Sequence, residues 1–269
     1  SMNEFDEVIN KVRRESRGIR RYAHFGTGNY NEKTAALYTD MGLLTSREDL
    51  TYESALFFNS ITGYSAVHGL RKLVMAPTGM RNKFAELIRR EIARSTPLEP
   101  GLIVAKMNSL VDEGIMELLY EASQAGVQVR LNVRGLCGIR PGVKGLSDNI
   151  RVVSIVDRFL EHTRMYYFKN GDADELYLSS GDWMPRNIDR RVELMFPLED
   201  PKLKGEALNI LQSFFHDNVS SWELGADGAW DRLQPGKDEK PYRVQEIMCQ
   251  DALTRRRRSD HNIRELVVR

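Results

Sequence analysis

Cysteine is nearly absent from this chain, and long apolar runs are absent altogether. Cys137 and Cys249 are the only two thiols in 269 residues. That is too few for a disulfide framework, and their separation fits no paired metal-ligand pattern; a reducing, cytoplasmic setting suits both facts. No stretch approaches the ~18 apolar residues of a membrane helix, so no membrane span is expected, and no secretory leader is visible. Excess charge is missing too. Thirty-nine basic and 38 acidic side chains leave a formal net charge of +1, so overall electrostatics names no partner and gives no ground for nucleic acid. The five histidines form no zinc-type cluster, and no Gly-x-Ser-x-Gly elbow occurs. The loop "GTGNYNEKT" has Glu32 where a P-loop needs Gly before its Lys, and Asn31 where a dinucleotide fingerprint needs its third Gly.

What is present is a mixed α/β pattern with room for one large domain or two modest ones. "SMNEFDEVIN" is polar and aperiodic, its Ser-Met resembling an expression scar. "IRRYAHFG" reads as a strand and "DLTYESALFFNSITGYSAVHGL" as a helix. From "RKLVMAP" to "VQVRLNVRG", strands alternate with helices, "GMRNKFAELIRREIARS" and a second one closed by Gly126. That alternation predicts crossover units on a mostly parallel sheet. After the loop "LCGIRPGVKGLSDN" the chain turns strand-rich, with "IRVVSIV", "RMYYFKN", "ELYLSS" and "RRVELMFPL", then a helix in "KGEALNILQSFFHDNV". Beyond Gly236 it is polar and basic. The Arg run in "LTRRRRSDHN" predicts a solvated helix face or tail, with anion binding as the alternative.

A short internal repeat stands out. "YAHFGTGNY" and "ELYLSSGDW" align as strand, small residue, Thr/Ser, Gly, Asn/Asp, aromatic. Each leads to an Asp, Asp40 or Asp189, and then to an apolar strand. Ahead of the second copy, His162 and Arg164 stand two apart, the spacing that puts side chains on one face of a strand. Ser179 and Ser180 end the return strand with small groups that would let an anion near the backbone, and Arg186 and Asn187 follow. A guanidinium can hold phosphate oxygens bidentately while a histidine attacks phosphorus or moves a proton. A surface histidine among hairpin-stabilising charges fits the same residues.

The pieces "RRYAHFGTGNYNEKTAALYTDMGLLT", "LNVRGLCGIRPG", "FLEHTR" and "SSGDWMPRNIDRRVELMFPL" occur in order. With their spacers they span most of the chain, from Val12 to about Pro235. Together they resemble the polyphosphate kinases built on the phospholipase D-like fold. The resemblance implies a phospholipase D-like mixed sheet flanked by helices, with residues 1–71 a truncated first catalytic lobe, 72–235 a complete second lobe and 236–269 a basic C-terminal tail. It implies reversible transfer of the terminal phosphate of ATP to polyphosphate through a phosphohistidine, with Mg2+ whose ligands lie outside this chain. It further implies ATP/ADP and polyphosphate as partners, homo-oligomerisation of a full-length protein, and a cytoplasmic location, peripheral at the inner membrane face in some settings. His162 resembles the second-lobe histidine that contacts nucleotide phosphates and donates a proton or stabilises charge. Tyr38 and Arg134 resemble nucleotide-binding residues of the family. Arg164, Arg186, Arg190 and Arg191 are candidate phosphate contacts. Asn29 and Asp182 read as turn caps, and His24 as a packed strand residue; His68, His216 and His261 read as incidental.

One departure qualifies that reading. The family's phosphorylated histidine belongs to a His-x-Lys one hairpin before "GTGN"; here Phe5 and Glu7 stand at that spacing, in a segment without an apolar strand. The expectation is therefore an excised fragment, inactive by itself, that retains the nucleotide half of the site. A non-catalytic nucleotide- and polyphosphate-binding module is the alternative. A phospholipase D-like diesterase is a third reading, although it would need two His-x-Lys motifs.

Overall fold

The computed structural model describes residues 8–16, 18–63 and 69–267, with side chains described to residue 256. Strands β1 (Val8–Glu15) and β2 (Gly18–Gly26) open the chain as a tight hairpin, followed by a one-turn helix α1 (Glu32–Ala35) and strands β3 (Tyr38–Thr39) and β4 (Gly42–Thr45). Helix α2 (Glu48–Ile61) leads to β5 (Val74–Ala76), α3 (Met80–Arg94), β6 (Leu102–Met107), α4 (Glu113–Gln124) and β7 (Gln128–Val133). Then come β8 (Ile150–Ile155), β9 (Leu160–Glu161), β10 (Arg164–Phe168), β11 (Glu175–Ser179), a π-helical turn (Arg186–Arg190) and β12 (Glu193–Pro197). Helix α5 (Pro201–Ser213), strands β13 (Ser221–Leu224) and β14 (Trp230–Arg232), and helix α6 (Val244–Val267) complete it.

Nine strands form the main sheet in the order β14-β13-β8-β7-β6-β10-β11-β12-β5, and β1-β2-β4 form a second, three-stranded sheet. The mixed sheet flanked by helices is as the sequence predicts, but "mostly parallel" is not. Only β6, β7 and β8 run parallel at its centre, while β10, β11, β12 and β5 pair antiparallel. Helical crossovers generate parallel neighbours, and the strand-rich second half enters by hairpins, which generate antiparallel ones. A second correction concerns β1. Its charged sequence, VINKVRRE, hides a strand that antiparallel pairing with β2 supplies from Val8↔Phe25 to Glu15↔Gly18. The stretch expected as a tail also begins otherwise: α6 starts with buried Val244 and Gln245.

Alternation along the strands sends apolar side chains to both faces of the main sheet, as a sheet covered on both sides requires. On one face Ile103, Ala105, Val129, Leu131 and Tyr166 pack against α3 and α4 through Phe84, Ile88, Ile115 and Leu119. There Phe84 meets Tyr166 at 4.7 Å and Trp183 at 5.5 Å between ring centroids, both edge-on. On the other, Val104, Met165 and Phe196 pack against α2, α5 and the small sheet through Phe57, Leu211 and Phe25. The small sheet therefore shares a core with the large one. The link between them is fixed by buried Glu53, whose carboxylate accepts from the amides of Arg71 (2.9 Å), Lys72 (2.9 Å) and Leu73 (2.8 Å). Asp112 caps α4 through Ile115 N, and Gly126, at φ +84°, ends it as the sequence predicts. No helix among the described residues is long and apolar enough to cross a membrane.

Phe84→Ala should lower unfolding free energy by about 3–5 kcal/mol, the usual loss for emptying a buried aromatic site. Leu98→Ala, at 93% exposure, should stay within about 0.5 kcal/mol. Urea titrations of the two variants check both values.

Candidate active site

The site forms where the two sheets meet, at a two-stranded parallel bridge of β3 with β9. Tyr38 lies opposite Leu160 and Thr39 opposite Glu161. His162 follows at once: its amide donates to the Thr39 carbonyl at 3.3 Å, and Thr163 Oγ1 donates to the same carbonyl at 3.0 Å. Period-2 alternation then divides the bridge. Thr39 and Glu161 hydrogen-bond to each other on one side, at 2.9 Å. Tyr38, Asp40 and His162 meet on the other.

His162 Nδ1 lies 2.9 Å from Asp40 Oδ1 and 3.1 Å from Oδ2. An ionised carboxylate only accepts, so Nδ1 carries the proton and Nε2 presents its lone pair. Arg164 Nη1 stands 3.1 Å from that Nε2. Tyr38 stacks at a tilt over the imidazole, 4.8 Å between centroids. Histidine and carboxylate are largely but not wholly enclosed, at 14% and 28% side-chain exposure. Tyr38, Thr39 and Asp40 also border a cavity of about 360 Å3 whose apolar wall comes from Met41, Met165 and Phe214.

His162 and Arg164 do meet, but not as two outward residues of one strand. His162 occupies the break between β9 and β10, and Arg164 is buried, at 8% exposure. Its Nε donates to Asp182 at 3.1 Å, and its Nη1 to the Thr27 carbonyl at 2.9 Å. Asp182 also accepts the Asn108 amide at 2.8 Å, and Asn108 Oδ1 accepts from Arg134 Nε at 3.2 Å. Arg134 and Arg164 are thus joined through one buried relay. Asp182 is not a local turn cap, as the sequence suggested; it fastens three separate segments.

The remaining expectations divide. Ser179 and Ser180 are buried, their hydroxyls donating to the Leu194 carbonyl (3.1 Å) and Glu193 (2.6 Å), so neither receives an anion. Arg186 and Arg190 are exposed on the π-helical turn, and Arg191 lies 3.8 Å from Glu193. Asp189 is taken by Arg81, which also grips Asp112. Asn29 is exposed in the first turn. His24 is partly buried against the Tyr30 hydroxyl, and burial pushes its pKa down. His216 packs near Tyr242. Phe5, Glu7 and His68 lie outside the described residues, as does the side chain of His261. Burial raises the Cys137 thiol to about 11, which removes it as a nucleophile.

The repeat is real in three dimensions, with one corrected partner. Gly26 pairs with Gly42 as Ser179 pairs with Met195. Two residues before each partner stand Asp40 and Glu193, so Glu193, not Asp189, is the counterpart of Asp40. The hydrogen bonds agree: Thr27 donates to Asp40 at 2.7 Å, and Ser180 to Glu193 at 2.6 Å. The glycines agree too. A Cβ on Gly28 would fall inside the Asp40 carboxylate, and one on Gly181 would lie 3.3 Å from Glu193 Cβ. Burial pushes the Glu193 pKa up. The spacing is the same in both copies, 13 positions from Thr27 to Asp40 and from Ser180 to Glu193. Sequence alone missed Glu193 because Asp189, a chemically identical match to Asp40, stands nearer to the second turn.

Comparison with known proteins is decisive on ancestry. Residues 73–245 match the family described as polyphosphate kinase C-terminal domain 2, and residues 6–67 match polyphosphate kinase C-terminal domain 1. The chain belongs to the polyphosphate kinase family. It is 50% identical over 250 residues to a polyphosphate kinase of Rhodopirellula baltica, covering 93% of this chain and 29% of that protein. It is 49% identical to one of Synechocystis, covering 90% of this chain and 33% of that protein. The crystal structure of a polyphosphate kinase from Porphyromonas gingivalis superposes with a TM-score of 0.83 at 34% identity, covering 88% of this chain and 36% of that one. The chain thus spans about a third of the length of these polyphosphate kinases.

Gly28→Ala should drive the Asp40 carboxylate off His162 at a cost of about 1–3 kcal/mol, the penalty of overfilling a packed site. Urea unfolding gives the cost. A crystal structure of the variant with the Asp40–His162 contact intact would contradict the close-approach argument.

Proposed function

We propose that this chain carries the nucleotide-handling half of a site that moves the terminal phosphate of ATP reversibly onto polyphosphate. The observation that carries the reading is His162, held at Nδ1 by Asp40 from the turn between β3 and β4, stacked by Tyr38, and faced at Nε2 by a guanidinium. In this reading Asp40 fixes the tautomer and the ring direction, so that Nε2 points to where phosphate oxygens arrive. Arg164 and Arg134, joined through Asp182 and Asn108, set positive charge around the same place and stabilise the charge that builds on the transferring group. Protonated at Nε2, His162 would donate to a departing oxygen or hold it by charge; Tyr38 offers an aromatic face to the base. Arg186, Arg190 and Arg191 are proposed as outlying contacts for a polyanion.

The paired register supports the other half of the mechanism. If Asp40 holds the imidazole of the opposite repeat, Glu193 is placed to do the same for a histidine at the position equivalent to His162. Counting back from Gly26 along the first hairpin, that position is residue 5, occupied by Phe5. The phosphohistidine is therefore assigned to a group this chain lacks. Phe5 favours a second reading beside the first, in which this chain binds nucleotide and polyphosphate without turnover. Among the described residues no group of three or more His, Cys, Asp or Glu side chains is arranged to hold a metal ion, so this chain offers magnesium no all-protein cage. No step is assigned to it.

This chain should bind ATP with an affinity that drops steeply as salt rises, since exposed cations meeting a polyanion are screened within ~10 Å at 0.1 M. Isothermal titration at two ionic strengths measures this, and salt-independent binding would count against a phosphate site. Radioactive ATP should leave no acid-labile label on the chain.

In a full-length enzyme carrying this segment, His162→Ala should cost roughly 10²–10⁴-fold in turnover, the range for a general acid or base. Nucleotide affinity should fall far less. Turnover near normal with a lowered melting temperature would reject the catalytic role.

A further inference from the structure

Directly behind the site lies a charge pair that the proposed chemistry does not use. Lys106 on β6 and Glu161 on β9 each have 1% side-chain exposure, with Nζ 3.1 Å from Oε2. Burial pushes the Lys106 pKa down and Glu161 opposes the shift. Lys106 also donates to the Thr163 carbonyl at 3.1 Å and sits 5.0 Å above the Phe214 ring. Glu161 accepts from Thr39 Oγ1 at 2.9 Å and, on its other oxygen, from Gln245 Nε2 at 2.6 Å. Gln245 belongs to the first turn of α6 and also clasps the backbone of Phe159, donating to its carbonyl and accepting its amide, both at 2.9 Å.

A buried ion pair adds little net stability, because desolvation of both charges offsets their attraction. Its position is more informative than its energy. Three of its contacts end beside site residues: Thr39 lies between Tyr38 and Asp40, Thr163 between His162 and Arg164, and Glu161 itself precedes His162. The bridge of β3 with β9 is only two residue pairs long, too short to hold its register by backbone hydrogen bonds alone. We propose that Lys106, Glu161 and Gln245 are positioning residues that lock β3 against β9 from behind. On this account the first turn of α6 is part of the machinery that presents Asp40 and Tyr38 to His162. The consequence for ATP rests on the function proposed above; the consequence for the Asp40–His162 contact does not.

The test uses the 269-residue chain and two readouts. The first is the downfield proton resonance of His162 Nδ1–H held by Asp40, identified by its loss in His162→Ala. The second is the dissociation constant for ATP. Removing one buried charge alone could unfold the chain, so the variants are Gln245→Ala and the paired Lys106→Met/Glu161→Gln, each checked for native circular dichroism. Both should lose or broaden the resonance and weaken ATP binding about tenfold, a coupling of the size that packed contacts carry. Arg255→Ala removes the ion pair of α6 with Glu206 (3.0 Å) without touching Gln245, and should leave both readouts unchanged. A wild-type resonance in both test variants overturns the proposal. So does equal loss in Arg255→Ala, which would mean that any loosening of the helix suffices. Loss of the resonance in a chain whose wild type binds no ATP would uphold the positioning role while rejecting the nucleotide reading.

Discussion

Asp40 reaches His162 across the short bridge of β3 with β9, and much of the surrounding structure serves that one hydrogen bond. The carboxylate comes from the turn after β3 and the imidazole from the break after β9, separated by 122 positions. Bringing them within 2.9 Å requires the two sheets to share a core, which Phe25 packed 5.1 Å from Phe196 supplies. It also requires a bare backbone at Gly28, where any side chain would displace the carboxylate. Thr27 steadies Asp40 from beside, and its carbonyl receives Arg164. The same turn therefore orients both charged neighbours of the imidazole.

The larger elements were legible because they are repetitive. Helices α2, α3 and α4 show apolar residues at helical spacing, and β6, β7 and β8 are short apolar runs between breakers, so pattern alone places them. Strand β1 was not legible, since VINKVRRE shows no clean alternation of apolar with polar residues and only its partner makes it a strand. The bridge of β3 with β9 was invisible for a related reason: two residue pairs carry no period. The His162–Arg164 pair could be found by spacing. Its partner Asp40 could be noticed only as the end of a repeat, and Glu161 and Lys106 read as ordinary charges. Burial turned them into a pair, and burial is a property of the whole fold.

The layout of the two carboxylates follows an internal repeat. Two hairpins, two small-residue turns and two carboxylates stand in matching register, yet the second copy has been embedded in a nine-stranded sheet while the first remains in a three-stranded one. Embedding changed the environments. Glu193 is buried among Ser180, Asn187 and Arg191, whereas Asp40 keeps enough exposure to face a ligand. The same hydroxyl-to-carboxylate contact thus stands in a buried and in a part-exposed setting, with a single carbon of side-chain length separating the carboxylates.

Glu53 gives the joint between the two sheets its mechanical character. Three successive amides, Arg71, Lys72 and Leu73, converge on one carboxylate buried in α2, in the way a concave backbone usually gathers a free anion. Those bonds tie α2 directly to the edge strand of the large sheet, because Leu73 adjoins the first residue of β5. Shifting α2 against β5 would unseat a buried carboxylate from its only donors in that corner among the described residues, which costs more than moving a solvated loop.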